Sequence, residues 1–161
     1  MKIEGPLIPA TFIERPNRFI TLVSIDGDIH RSHLPDPGRL KELLVSGADL
    51  LVRQAPKNSN RKTKYTTVMV NHDGQLISLV SSLPNQFVGL ALKKNELPML
   101  NGYTLIRPEI PVGSHRFDFL LKSPIGSDFY LEVKSVTFVI NGVAQFPDAV
   151  TKRGTNHAKA L

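Results

Sequence analysis

The stretch Arg116–Lys134, RFDFLLKSPIGSDFYLEVK, decides how this 161-residue chain is read. Two apolar runs, Phe117–Leu121 and Phe129–Val133, flank Lys122–Asp128, where Pro124 and Gly126 mark a turn. Folded as an antiparallel hairpin centred on Ile125, the stretch sets Asp118 opposite Glu132, with Cβ atoms about 5 Å apart. Alternation along the second run then puts Glu132 and Lys134 on one face, with Leu131 and Val133 on the other. Two carboxylates and an ammonium meet at one spot.

Adjacent carboxylates repel, so either one takes up a proton or a cation sits between them. A hard divalent ion such as Mg²⁺, or Mn²⁺ in its place, suits two carboxylates while keeping waters and accepting phosphate oxygens. Such an ion polarises a phosphate and lowers the pKa of its water, and Lys134 orients the nucleophile or stabilises developing negative charge. Asp, followed on the next strand by Glu-x-Lys, is therefore a pattern suited to phosphodiester cleavage. The alternative is a solvated ion pair from Asp118 to Lys134 or Arg116. Phe117, Phe119, Leu120, Leu131 and Val133 weigh against it, because charges set among buried strands need a reason to be there.

Around this hairpin the pattern is mixed α/β. Pro84-Asn85 opens a helix over Gln86–Leu97, with Asn85 as the cap, Phe87, Leu90 and Ala91 at helical spacing, and Gly89 costing about 1 kcal/mol relative to Ala. Strands are expected at Thr104–Ile106, Arg116–Leu121, Phe129–Val133, Val136–Ile140 and Val143–Phe146, followed by a helix from Asp148 to Leu161. Before Leu83 the chain reads as short strands. Arg18–Ile25 and Asp28–Leu34 form a hairpin on Asp26-Gly27, and Tyr65–Val70 and Gln75–Val80 form another on Asn71–Gly74. Ala48–Arg53 supplies a fifth strand, and Asp36–Leu44 reads as a short helix capped by Asp36 with Pro37 in its first turn. Five strands and one inserted helix outline an OB-like barrel. The expected organisation is therefore an OB-like domain at 1–83 and an α/β domain at 84–161.

The 20 Lys and Arg against 14 Asp and Glu leave a formal charge of +6, with +3 on each side of Leu83. A polyanionic partner such as nucleic acid fits this balance. With no cysteine, disulfides, thiolate metal sites and thiol nucleophiles are excluded. A first segment without a long apolar stretch, and no run of eighteen apolar residues, argue for a cytoplasmic protein with no membrane span.

Four motifs carry a more specific signal. They are Asp36–Leu40, His115–Leu121, Tyr130–Thr137 and Phe146–Gly154, and together they resemble the sugar fermentation stimulation protein A family over about Pro6 to Leu161. That resemblance implies a DNA-binding protein with an N-terminal OB-like domain and a second domain like the PD-(D/E)XK nucleases. It implies that Asp118 and Glu132 hold Mg²⁺ and that Lys134 completes the signature. The family continues well beyond Leu161, so the nuclease-like domain is expected to be incomplete at its C-terminal end. Two positions depart from the family pattern: Gly89 and Leu90 stand where the helix tends to carry a Glu, and Lys152 stands where an acid is usual.

Further candidates surround this centre. Glu109 is a possible third ligand or a strand-end surface acid. Asp148, Arg153 and His157 are accessory candidates near the last helix, with capping as the alternative role for Asp148. Arg53, Lys57, Arg61, Lys62 and Lys64 fall in a span from Asp49 to Asp73 that holds no acid between its ends, so the loop is a phosphate-contacting element or simply solvated. Arg18 and Arg39 join the DNA-contacting set, Arg39 alternatively bracing the helix against the barrel. Tyr65 stacks a base or belongs to the core. The readings to be weighed are a Mg²⁺-dependent nuclease, a non-enzymatic DNA-binding regulator of sugar metabolism genes, and, more remotely, an RNA-binding module.

Overall fold

A computed structural model of the chain describes residues 3–56, 58–113, 115–145 and 155. They group into two compact units, Met1–Ser81 with Val136–Phe146, and Ser82–Ser135 with Pro147–Leu161.

The first unit is built on strands β1 (Leu7–Asn17), β2 (Ile20–Ile25), β3 (Asp28–His33), β4 (Asp49–Gln54), β5 (Tyr65–His72) and β6 (Gln75–Ser78). β1 pairs antiparallel with β2 and β4, β2 with β3, and β4 with β5. A parallel pairing of β3 with β5, Ser32 opposite Tyr65 and His33 opposite Thr66, closes the ring. The result is the five-stranded OB-like barrel expected from the sequence, with β6 added on β5. Alternation along the strands points Phe12, Val23, Ile25, Leu50, Val52 and Val70 into one core. Buried among them, the Thr67 hydroxyl lies 2.7 Å from that of Thr21 and donates to Ser32 Oγ at 2.9 Å, tying β2, β3 and β5 together. The hairpins turn tightly on Asp26-Gly27 and Asp73-Gly74, all four residues at positive φ, so the second turn is two residues shorter than the sequence suggests.

Two expectations are corrected here. β1 is a strand the sequence reading lacks, its apolar pattern interrupted by Pro9 and Pro16. Residues Asp36–Leu44 form no helix. Asp36 Oδ1 accepts from the N–H of Gly38 only two residues on, at 2.7 Å, and Leu40 has φ +50. The main-chain oxygens of Asp36, Gly38 and Arg39, which a helix would direct to its own N–H groups, accept instead from Arg15. One turn survives, with Leu44 N–H on Leu40 O at 2.8 Å, and Leu40 and Leu43 still reach the core.

The second unit holds helix α1 (Leu83–Lys94), a short 3₁₀ turn at Pro98–Leu100, and a sheet of β7 (Thr104–Val112), β8 (His115–Lys122) and β9 (Asp128–Leu131) in the order β7-β8-β9. Ser82, not Asn85, is the N-cap, and Asn95 closes the helix in the left-handed region with its N–H on the carbonyls of Ala91 and Leu92. α1 packs through Val88 and Leu92 against Phe119, Leu121 and Leu131, while Phe87 and Leu90 are exposed. A Cβ at Gly89 would sit 3.3 Å from the ring of Phe119, so glycine permits this close approach of helix to sheet. Strands β10 (Phe138–Ile140) and β11 (Val143–Gln145) pair with one another and group with the first unit, whereas the sequence reading sets them in the second domain. The helix expected over Asp148–Leu161 lies, except for helical Thr155, outside the described residues.

Candidate functional site at the β8–β9 hairpin

The register of the hairpin is the one alternation dictates: Phe119 faces Leu131, Leu120 faces Tyr130, and Leu121 faces Phe129. Phe117, Phe119 and Leu121 are buried, so Asp118 points to the opposite side of β8. One further step along this register brings Asp118 level with Glu132, the first residue beyond β9.

The chain leaves the ladder there, and Asp118 takes over the task of holding it. Its Oδ2 accepts from the N–H of Val133 at 2.7 Å, and its Oδ1 accepts from Asn85 Nδ2 at 2.6 Å. The carboxylate thus joins the first turn of α1, the middle of β8 and the Glu-Val-Lys segment. Glu132 is ion-paired with Lys134. Its side chain retains only 11 % exposure against 55 % for Lys134, so an acid with little water around it sits beside a cation that solvent reaches. Leu131 and Val133 pack into the cluster around Leu92, Phe119 and Leu121, which fixes the strand end between them. Neither of the simple surface pairings open to Asp118 is the one it makes.

Glu109 is not brought in. Pairings on either side, Pro108 with Phe119 and Ile110 with Phe117, place it across the ladder from Asp118, but its backbone has φ +55. Its carboxylate meets Arg116 Nη1 at 3.1 Å on the surface instead. Among the described residues no three His, Asp or Glu side chains are grouped to hold an ion. Asn85, assigned to capping by the sequence, is the site residue that sequence reasoning missed. Thirty-three residues separate it from Asp118, and no local signal connects them. Asp148, Lys152, Arg153, His157 and Lys57 lie outside the described residues.

The basic residues of the barrel separate into two groups. In the β4–β5 loop, Arg61, Lys62 and Lys64 are exposed around the buried anchor Thr63, and Ala55 N–H to Lys64 O at 2.7 Å closes the loop at its base. Arg61 acts on His33 of β3, whose pKa is lowered by burial first and by that guanidinium second. Tyr65 packs on the core and meets the His30 ring edge-on, centroids 5.1 Å apart. Arg53 lies on β4, donating to Glu4 O at 3.3 Å and packing its methylenes beside Gly5, so it braces the N-terminal segment. Arg18 and Arg39 are exposed at a different place, and the main-chain oxygens of both accept from Arg15 at 2.7 Å.

Family comparisons divide the chain between residues 79 and 82, with β10 and β11 in the second match although they group with the first unit here. Residues 13–79 match the SfsA N-terminal OB domain, and residues 82–161 match the sugar fermentation stimulation protein RE domain. All of the chain aligns with the sugar fermentation stimulation protein homolog of Moorella thermoacetica at 43 % identity over 161 residues, covering 69 % of that protein. The homolog of Acetivibrio thermocellus is 44 % identical over 162 residues, again with 100 % of this chain and 69 % of that protein aligned.

The chain belongs to the sugar fermentation stimulation protein family.

The resemblance read from the four motifs is thereby borne out. Among solved structures, Pyrococcus furiosus SfsA in complex with Ca²⁺ superposes with a TM-score of 0.83 at 30 % identity, over 98 % of this chain and 67 % of that one. Where the resemblance leads one to expect a Glu in α1, this family member has Gly89 against Phe119 and Leu90 exposed. The described residues contain no helix long and apolar enough to cross a membrane.

Proposed function

We propose that this protein binds DNA through its barrel and cleaves phosphodiester bonds at Asp118, Glu132 and Lys134 with the help of Mg²⁺ or Mn²⁺, in the cytoplasm. The observation that carries the reading is the β8–β9 register, which brings a half-buried Asp level with a nearly buried Glu that is itself paired with a Lys two residues on. Donor chemistry fits a hard divalent ion: two carboxylates, each oxygen still having a lone pair to offer, and no sulfur nearby. The Ca²⁺ named for the Pyrococcus furiosus relative belongs to the same oxygen-seeking class. When bound, such an ion supplies Lewis acidity towards the phosphate and a water of lowered pKa.

The chain's own groups then have separable tasks. Asn85 and the Val133 N–H fix the orientation of the Asp118 carboxylate. Lys134, on the solvent side of Glu132, reaches a phosphate oxygen or orients the attacking water, and its charge opposes the negative charge that develops on the phosphorane. Arg61, Lys62 and Lys64 supply phosphate contacts from the β4–β5 loop, Lys57 of the same loop being included on sequence grounds. RNA is the competing polymer for the same surface.

A second reading is favoured by one observation. Asp118 and Glu132 both have partners within the chain, and Gly89 and Leu90 provide no acid from α1. On that reading the cluster is structural, and the protein is a DNA-binding regulator without enzymatic activity. Incubation of plasmid, single-stranded DNA and RNA with Mg²⁺ or Mn²⁺ separates the two. The enzyme reading requires cleavage that Glu132→Ala abolishes, and it is sunk by binding without cleavage in which Glu132→Ala changes only stability.

A further inference from the structure

A knot of main chain on the barrel gathers around Arg15. The register of β1 against β2 shifts between Glu14 and Asn17, where Pro16 removes a ladder donor, so a bulge places Arg15 outside the regular pairing. Its guanidinium then reaches three carbonyls 21 to 24 residues away and a fourth only three residues on. Nη1 donates to Gly38 O at 2.6 Å and Arg39 O at 2.7 Å, and Nη2 donates to Arg18 O at 2.7 Å and Asp36 O at 3.2 Å. All four Nη hydrogens are spent on carbonyls, and Nε is buried without a partner among the described residues. Arg15 is therefore unavailable to a ligand. What it does is hold the β1–β2 turn and the Asp36–Arg39 turn within the span of one guanidinium.

Both turns present cationic side chains outward from adjoining main-chain positions: Arg18 from one, Arg39 from the other. Phe19 follows Arg18 with 53 % exposure, and its carbonyl is anchored by Leu34 N–H at 2.8 Å. Asn17 Oδ1 accepts from Phe19 N–H at 2.9 Å, which fixes the turn that carries both residues. Asp36 Oδ1 accepts from Gly38 N–H. Burial holds the Arg15 guanidinium below its ordinary pKa, with Asp36 opposing this and Arg18 adding to it by repulsion. An anion beside Arg18 relieves that repulsion.

We propose that Arg18, Phe19 and Arg39 form a site for the phosphodiester backbone of single-stranded nucleic acid, with a base stacked on Phe19, and that Arg15 is the positioning residue that assembles it. The site deepens the DNA-binding reading and rests on it. Two exposed arginines suit the phosphates of one strand, and the exposed ring of Phe19, next to Arg18 in the chain, takes an unpaired base, which a duplex keeps stacked. Lysine cannot replace Arg15, because an ammonium with three donors cannot span four carbonyls in the guanidinium's planar fork.

The test uses the full chain, a fluorescein-labelled oligothymidylate and a salt series. Arg18→Ala/Arg39→Ala is expected to weaken binding at least about tenfold and to flatten the slope of log affinity on log salt by about 1.4, two contacts on a single strand. Arg15→Lys keeps the charge and is expected to flatten the slope to the same degree, yet to cost nothing further in the double-alanine background. Phe19→Ala is expected to weaken the oligothymidylate and leave a duplex of equal length unaffected. An Arg15→Lys protein that folds and retains the wild-type slope overturns the positioning role, and an unchanged slope in the double alanine overturns the site while the DNA reading stands. Titration of inorganic phosphate, followed by the Arg18 and Arg39 Nε resonances, is independent of any polymer. If the wild type binds neither oligothymidylate nor duplex, shifts there that Arg18→Ala/Arg39→Ala removes keep the phosphate site and discard the nucleic acid, and absence of shifts overturns both.

Discussion

Asp118 carries two burdens that a pair of substitutions can separate. Its carboxylate terminates the β9 ladder through Val133 N–H and anchors α1 through Asn85. Asp118→Ala leaves both donors without their acceptor, a loss of about 1–3 kcal/mol in a denaturant titration of the protein. Asp118→Asn keeps one carbonyl oxygen for Val133 and is expected to recover much of that stability, while its neutral side chain is expected to weaken the divalent-ion binding proposed for the site. His33 gives a pH signature of different origin. Burial, and then Arg61, lower its folded pKa, so the unfolded chain binds the extra proton first. Its stabilising contribution is fully present above the ordinary value of about 6.5 and is lost as pH falls through the depressed folded value. Unfolding midpoints measured from pH 8 down to pH 5 show a decline whose His33 part disappears in His33→Gln.

At the scale of elements, local rules succeeded where partners are near in sequence. The β8–β9 register followed from alternation around one turn, because a one-residue slip would exchange the buried Phe117, Phe119 and Leu121 for Asp118 and Leu120. The Asp26-Gly27 turn was legible for the same reason. β1 was not, since Pro9 and Pro16 imitate a loop, and only pairing with β2 and β4 makes the segment a strand. Asp36–Leu44 has the cap, the proline and the leucine spacing of a helix, yet a distant arginine takes its carbonyls. Glu109 has a left-handed backbone and its carboxylate meets Arg116, a choice no spacing encodes. Barrel closure is likewise non-local and depends on buried hydroxyls that link β2, β3 and β5. Thr67→Val, of equal shape, leaves Thr21 and Ser32 short of a partner and is expected to cost about 1–3 kcal/mol, read from the chemical denaturation midpoint.

Over the whole chain, the two-part organisation was visible as a change of rhythm near Leu83, and family matches to residues 13–79 and 82–161 fall on either side of it. The +6 charge is shared evenly, +3 on each side of Leu83, and its exposed groups before Leu83 include Arg61, Lys62 and Lys64 in one loop and Arg18 and Arg39 at another place. Everything specific to catalysis rests on the claim that Asp118 and Glu132 hold one divalent ion between them. Calorimetric titration of the full chain with Mn²⁺ tests this most directly. A single site is expected, with an affinity that falls at least about tenfold in Glu132→Gln and in Asp118→Asn, both variants remaining folded. Equal affinity in the wild type and both variants, or no binding by the wild type, contradicts it.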